Sequence, residues 1–177
     1  MGYEIAGGLG AKMAAPDRDV FVLVGDGSYL MMAQELVTAV QERIKLIIVL
    51  VQNHGFASIG RLSESLGSQR FGTAYRYRSG DGRLDGDILP TDLAANAESL
   101  GADVLRARTI DEFRIALTTA KASDRTTVVH IEADPFIDAP SSEAWWDVPV
   151  AEVATLDSTK QARSAYEKNK QAQQHYL

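Results

Sequence analysis

The sequence contains no cysteine. Disulfides, thiolate metal sites and cysteine nucleophiles are therefore excluded, although that alone does not fix the compartment. It has no apolar run of the ~18 residues a membrane span needs, and its first residues lack the basic-then-apolar pattern of a signal peptide. The cytoplasm is the expected location, and no membrane partner is expected. Positive charge is in deficit. The 18 Lys and Arg against 24 Asp and Glu leave a net charge of -6, which argues against a nucleic-acid partner, because phosphate backbones are met by clustered Lys and Arg.

What remains is an ordinary globular composition, 45% apolar and 24% charged over 177 residues, enough for one domain with its own core. Residues 2–14 have helical spacing. Residues 20–24 are an apolar run that reads as a strand, and residues 46–51 form a second without alternation, as expected for one covered on both faces. Between them a helix is expected from Ser28, whose hydroxyl can cap exposed N–H groups. Tyr29, Met32, Ala33, Leu36, Val37 and Val40 give it one apolar face. A short helix around Ala57 to Leu66 precedes a long polar loop over residues 73–88. Pro90 and Thr91 open a further helix to about Leu100, and Val104-Leu105 reads as a short strand. Thr109 to Glu112 is a capping box for a helix that buries Phe113, Ala116, Leu117 and Ala120, and Thr127 to Ile131 is a strand. The alternation predicts a doubly wound, mostly parallel α/β sheet with helices on both faces. Residues 158–177 are polar and helix-prone, and read as a helical tail on a domain of residues 1–157.

The two apolar runs end in similar loops. One stops at Gly25-Asp26-Gly27-Ser28, the other at Gln52-Asn53-His54-Gly55. An amphipathic crossover between parallel strands places both loops side by side at the carboxyl edge, where ligands bind in open α/β sheets. One carboxylate, one amide oxygen and glycine-freed backbone suit a hard cation bridging a diphosphate. Gly25 and Gly27 permit close approach of the backbone. A helix start at Gly27 and Ser28 favours an anion.

This strand, GDGS, helix, strand, Asn arrangement resembles the thiamine-diphosphate binding motif of the enzymes related to acetolactate synthase. Gln52 stands where the family has the first of two asparagines, and Asn53 matches the second. The resemblance implies thiamine diphosphate and Mg²⁺ as cofactors, with Asp26, Asn53 and the backbone carbonyl of Gly55 as metal ligands. It implies that Gly25, Asp26, Gly27, Ser28, Asn53 and Gly55 bind the cofactor, and that Met1 supports the thiazolium ring. The segment Met1 through Lys12 resembles the helix preceding this motif. Phe71 to Arg78, Leu89 to Asp92 and Trp145 to Val153 narrow the resemblance to a branch whose members hydrolyse a carbon–carbon bond of a cyclic 1,2-dione in myo-inositol breakdown. In such enzymes this stretch is the last third of a three-domain chain, and the glutamate that activates the aminopyrimidine lies on another domain. The expectation is therefore a fragment or separately made domain, inactive alone. Its expected partners are a small-molecule substrate, the pyrimidine-binding domain of the parent enzyme and further copies in a homo-oligomer. The alternatives are a synthase or decarboxylase of the acetolactate type, and a non-catalytic cofactor-binding or assembly module.

Other residues have blander expectations. His54 reads as a loop residue held by hydrogen bonds, with proton transfer as the sharper alternative. His130 reads as a satisfied core histidine, and His175 as part of the tail. Arg76, Arg78 and Arg83 read as a solvated loop, with a polyol or ketone oxygen as the alternative ligand. Asp81, Asp85 and Asp87 lack the helices and terminal Glu of a calcium loop. Gly8-Leu9-Gly10 lacks the preceding strand and third glycine of a dinucleotide fingerprint. Trp145-Trp146 reads as a hydrophobic anchor for a neighbouring domain or subunit.

Overall fold

The two apolar runs pair directly. In the computed structural model, which describes residues 1–70, 72–137, 140 and 147–173, Phe21–Gly25 forms β1 and Ile47–Gln52 forms β2. Asp103–Ala107 and Thr127–Glu132 form β3 and β4. All pairings are parallel and the strand order is β1-β2-β4-β3. β2 and β4 are thus interior, and the first four residues of each are buried. The helices are α1 (Glu4–Ala14), α2 (Asp26–Met32), α3 (Glu35–Gln41), α4 (Ala57–Ser65), α5 (Leu93–Ser99), α6 (Ile110–Ala122) and α7 (Asp157–Ala172). Among the described residues no helix is long and apolar enough to cross a membrane.

The chain divides into two compact units. The first comprises Met1–Gly55 with Leu89–Pro135, and holds the sheet. Strand alternation sorts its core onto two faces. Val22, Val24, Ile48, Leu50 and Val128 join Ile5 and Leu9 of α1, Tyr29 of α2, Leu36 of α3 and Leu93 of α5. Ile47 and Val129 face the other way, onto Ala116 and Ala120 of α6, with Phe113 and Leu117 packed beside them. The expected doubly wound α/β architecture is present. α6 packs on β2, β3 and β4, and on the face it covers Phe21 and Leu23 of the edge strand β1 are exposed, Leu23 by 70%. Gly8 brings α1 close to β1: a Cβ there would lie 2.3 Å from Cγ2 of Val22.

The helix expected from Ser28 differs in two ways. It begins earlier, at Asp26, so Ser28 is inside α2 and does not cap it; Gly25 is the N-cap, in extended conformation and without a side-chain cap bond. The strand feeds straight into helical geometry and leaves no turn for a hydroxyl to close. The helix is also broken. Leu36 N–H bonds Ala33 carbonyl and Val37 N–H bonds Gln34 carbonyl, three residues back, and this tight turn separates α2 from α3. The break rotates the apolar stripe, so Tyr29, Leu36 and Ala39 are buried while Val37 and Val40 are exposed. Likewise α5 begins at Leu93 and not at Pro90, because Asp92 caps it, Oδ1 accepting Ala95 N–H at 2.9 Å. The Thr109 cap forms as expected, with Oγ1 accepting Glu112 N–H at 3.2 Å. The reciprocal Glu112 carboxylate accepts from Arg108 N–H, one residue ahead of the cap.

The second unit comprises Phe56–Ile88 with Phe136–Leu177. Its polar loop folds back on itself through an antiparallel bridge of Arg76 with Ile88. α7 is pinned at its start. Ser158 and Thr159 hydroxyls both donate to Gly67 carbonyl, at 2.7 and 2.8 Å. Gly67 has φ +83, and a Cβ there would sit 2.5 Å from Ser158 carbonyl oxygen. Thr159, near the start of this polar helix, is buried. Phe71, Trp145, Trp146 and His175 lie outside the described residues.

Candidate cofactor site

Gly25 pairs opposite Val51, so Asp26 leaves β1 beside Gln52, the last residue of β2. The Asp26 side chain is 1% exposed and ties the two loops together. Its Oδ1 accepts Gly27 N–H at 3.0 Å. Its Oδ2 accepts both Asn53 N–H at 3.1 Å and Gly55 N–H at 2.9 Å. A carboxylate has about four lone-pair sites, so three donors leave one direction for a cation. The Oδ1 of Asn53 is buried with no hydrogen-bond partner. Leaving such an acceptor unsatisfied costs about 1–3 kcal/mol. At Gly25 a Cβ would meet no atom within 4 Å, so the backbone turn is open on that side.

These oxygens fit a hard divalent cation. A carboxylate, an orphaned amide oxygen and a neighbouring backbone carbonyl are the donor types such an ion takes. Among the described residues no group of three His, Cys, Asp or Glu side chains could hold a metal. With one carboxylate in the set, anionic ligand oxygens such as those of a diphosphate would have to supply the remaining charge. Of the expected site residues, the structure joins Asp26, Gly27, Asn53 and Gly55 by direct hydrogen bonds. Gly25 caps α2, which carries Asp26 and Gly27, and Ser28 lies in its first turn; Asn53 and Gly55 lie in the loop after β2. Met1 is exposed, and the next residue, Gly2, packs against Met31 of α2.

Three features escaped the sequence reading. The first is a hydrogen-bonded chain through Gln52, which is 2% exposed. Gln52 Nε2 donates to Thr91 carbonyl at 3.0 Å and lies 3.3 Å from His54 Nδ1. Gln52 Oε1 lies 2.9 Å from His130 Nε2. Beyond it, His54 Nε2 is 3.8 Å from a Glu132 carboxylate oxygen. Burial, reinforced by the Arg106 cation, pushes the His130 pKa down. The second is a fork of Arg106 onto Asp92 at 3.0 and 3.1 Å. It helps hold the Asp92 carboxyl below the usual range. These groups line a cavity of about 350 Å³. The third is Glu4, whose Oε2 is buried without a partner. Burial opposes its ionisation, but backbone N–H groups and the Ser28 hydroxyl outweigh that and hold its pKa below normal.

The loop arginines are engaged locally. Arg76 donates to Gly86 carbonyl, Arg78 to Gly82 carbonyl, and Arg83 pairs with Asp85. His54 takes the left-handed conformation, φ 59, which costs a residue with a Cβ roughly 1–2 kcal/mol.

The chain is similar to known proteins. The family model described as thiamine pyrophosphate enzyme, C-terminal TPP binding domain, matches residues 1–131. A 3D-(3,5/4)-trihydroxycyclohexane-1,2-dione hydrolase of Clostridium perfringens (strain 13 / Type A) is 40% identical over 176 residues, 99% of this chain and 28% of its own length. The protein of that name numbered 1 in Bacillus cereus is 40% identical over 177 residues, with the same coverage. The chain therefore spans 28% of the length of these curated relatives. Among solved structures, the thiamine diphosphate-dependent 4-hydroxybenzoylformate decarboxylase of Rhodococcus jostii RHA1 superposes with a TM-score of 0.61 at 25% identity, over 76% of this chain and 23% of that one. A benzoylformate decarboxylase from Polynucleobacter necessarius gives 0.62 at 23% identity, with the same coverage, and shows the fold alone.

Proposed function

This chain belongs to the thiamine pyrophosphate enzymes, through their C-terminal TPP-binding domain, and we propose that it binds the diphosphate end of thiamine diphosphate through a Mg²⁺ ion held by Asp26, Asn53 and Gly55. The carrying observation is the buried Asp26 carboxylate that gathers the N–H groups of Asn53 and Gly55 while the Asn53 amide oxygen has no donor. Asp26 and Asn53 supply side-chain oxygens and Gly55 its backbone carbonyl. Gly25 would let the phosphates approach the chain, and Gly27 and Ser28 would face them from the first turn of α2. Ser28 would offer its N–H group, and Gly27, whose N–H is held by Asp26 Oδ1, its lack of a side chain. When bound, the cofactor supplies the ylid chemistry, and the protein positions it.

The reaction proposed for the parent enzyme is hydrolysis of a carbon–carbon bond in a cyclic 1,2-dione, within myo-inositol catabolism in the cytoplasm. The support is the printed name of relatives 40% identical over 99% of this chain. Because this chain spans only 28% of those relatives, this stretch would hold one part of the catalytic apparatus. Residues 1–157 would be the cofactor domain and 158–177 its helical tail. The pyrimidine-binding domain, the aminopyrimidine-activating glutamate and most substrate contacts would come from elsewhere in a homo-oligomeric enzyme. Met1 is assigned to support of the thiazolium ring.

Calorimetric titration of thiamine diphosphate into the full-length protein, with Mg²⁺ and with chelator, tests the binding role. Heat of binding only when Mg²⁺ is present is the expected result. Binding indifferent to metal would remove the basis for this assignment. Turnover of the cyclic dione, measured against pyruvate as competing substrate, tests the reaction.

A further inference from the structure

We infer that Gln52 is a positioning residue that sets the metal-binding loop through His130, Thr91 and His54; the inference rests on the proposed cation site and extends it to residues that touch neither metal nor cofactor. The Thr91 carbonyl can only accept, so the nitrogen end of the Gln52 amide faces it. The oxygen end therefore faces His130, and His130 Nε2 carries a proton and donates. The second amide hydrogen of Gln52 points to His54 Nδ1, which accepts. His54 Nε2 then carries the proton and faces Glu132. One amide fixes the tautomers of two histidines, and no flipped orientation satisfies all partners.

The length of the side chain decides this arrangement. Register places Leu50 opposite His130 and Gln52 opposite Glu132, so Gln52 reaches diagonally back across the strand pair. One methylene fewer would withdraw the amide by ~1.5 Å, turning the 2.9 Å contact into one beyond hydrogen-bond range. The loop is gripped from two sides. Asp26 holds the N–H groups of Asn53 and Gly55, and Gln52 holds the ring of His54 between them. With both grips closed, the left-handed turn at His54 keeps the Asn53 amide oxygen and Gly55 carbonyl in fixed directions.

The test uses the full-length protein and three substitutions, Gln52→Asn, His130→Leu and His130→Gln, the last of which keeps a donor toward Gln52. Hydrogen exchange at the amides of Asn53 and Gly55 is measured without metal. Mn²⁺ binding in the presence of thiamine diphosphate is read by paramagnetic resonance. Gln52→Asn and His130→Leu are expected to speed exchange at those two amides, leave the amides of β1 unchanged, and weaken Mn²⁺ about tenfold, as loss of a group that orients metal ligands does. His130→Gln is expected to restore both readouts in part. Unchanged exchange in a folded Gln52→Asn protein overturns the inference, as does acceleration spread equally over every strand. A wild-type protein that bound no Mn²⁺, yet showed the expected exchange pattern, would remove the metal site and leave the clamp standing.

Discussion

The carboxylate of Asp26, at the end of β1, accepts the backbone N–H of Gly55, at the end of β2, over 2.9 Å in a buried setting. The same oxygen takes Asn53 N–H. A single side chain thus closes the gap between two parallel strands beyond the last ladder bond, and it is also the carboxylate proposed to hold the cation. On that proposal, structure and ligand binding draw on the same group, and different substitutions should separate the two effects.

Asp26→Ala leaves three N–H donors, two of them in buried bonds, without their acceptor. A loss of about 2–4 kcal/mol in unfolding free energy is expected, together with loss of Mg²⁺-linked cofactor binding. Asp26→Asn keeps an acceptor oxygen and should retain more stability, but not the metal linkage. Urea denaturation and calorimetry on the same samples read the two effects. Cofactor affinity unchanged in Asp26→Ala would sink the site.

Gly25→Ala should do the reverse. Its backbone is extended with negative φ, which alanine tolerates, and a Cβ there meets nothing within 4 Å. Stability should move by less than about 0.5 kcal/mol, while diphosphate affinity falls because the methyl occupies the approach to the turn. Equal affinity for inorganic pyrophosphate in the two proteins would show that the ligand does not pass over Gly25.

Stability should depend on pH through His130. Its pKa is depressed from 6.5 in the fold, by burial first and Arg106 second. Below 6.5 the unfolded chain therefore binds a proton that the folded one still refuses, so stability is full above that pH and declines as pH falls until the folded histidine also titrates. Denaturation midpoints between about pH 7.5 and 5, numbers set by the ordinary histidine range, should show this slope in the wild type and less of it in His130→Gln. Identical slopes would assign the effect to other groups.

Gly8→Ala should force α1 off β1, since its methyl would overlap Val22. Overpacking of this kind costs about 1–3 kcal/mol. Adding Val22→Ala removes the obstacle, so the double variant should be more stable than the sum of the single effects predicts. Strict additivity would mean that the helix yields in some other direction.

The legible parts were those written in local pattern. Leu46 to Val51 is apolar without alternation and lies inside the sheet, whereas Val20 to Val24 has the same pattern yet feeds an edge strand that leaves Phe21 and Leu23 exposed. That Asp26 and Asn53 come near one another was readable because each lies two residues beyond such a run. The start of α2 was not, because a cap rule locates a hydroxyl after a turn, and here extended Gly25 leads into the helix with no turn between. Val37 and Val40 were misplaced by a break at Ala33–Gln34 that has no glycine or proline to announce it. Gln52 with His130 was beyond reach for a different reason. They are 78 residues apart, and their meeting depends on β4 lying beside β2, a fact of strand order. Glu4 meets Ser28 only once α1 and α2 share a face of the sheet.

The bond from Asp26 to Gly55 also has a kinetic meaning. Parallel neighbours cannot zip from a hairpin; β1 and β2 must wait for α2 and α3 to be laid between them, which is slow, non-local closure. The loops gathered by Asp26 would therefore meet at the end of that closure, and a chain halted before it would lack the proposed diphosphate site. Free cofactor would then select only finished molecules, raising the melting point with ligand concentration in the logarithmic manner of a ligand that ignores the unfolded chain. In a refolding reaction, the appearance of cofactor binding would mark the last step and not the first.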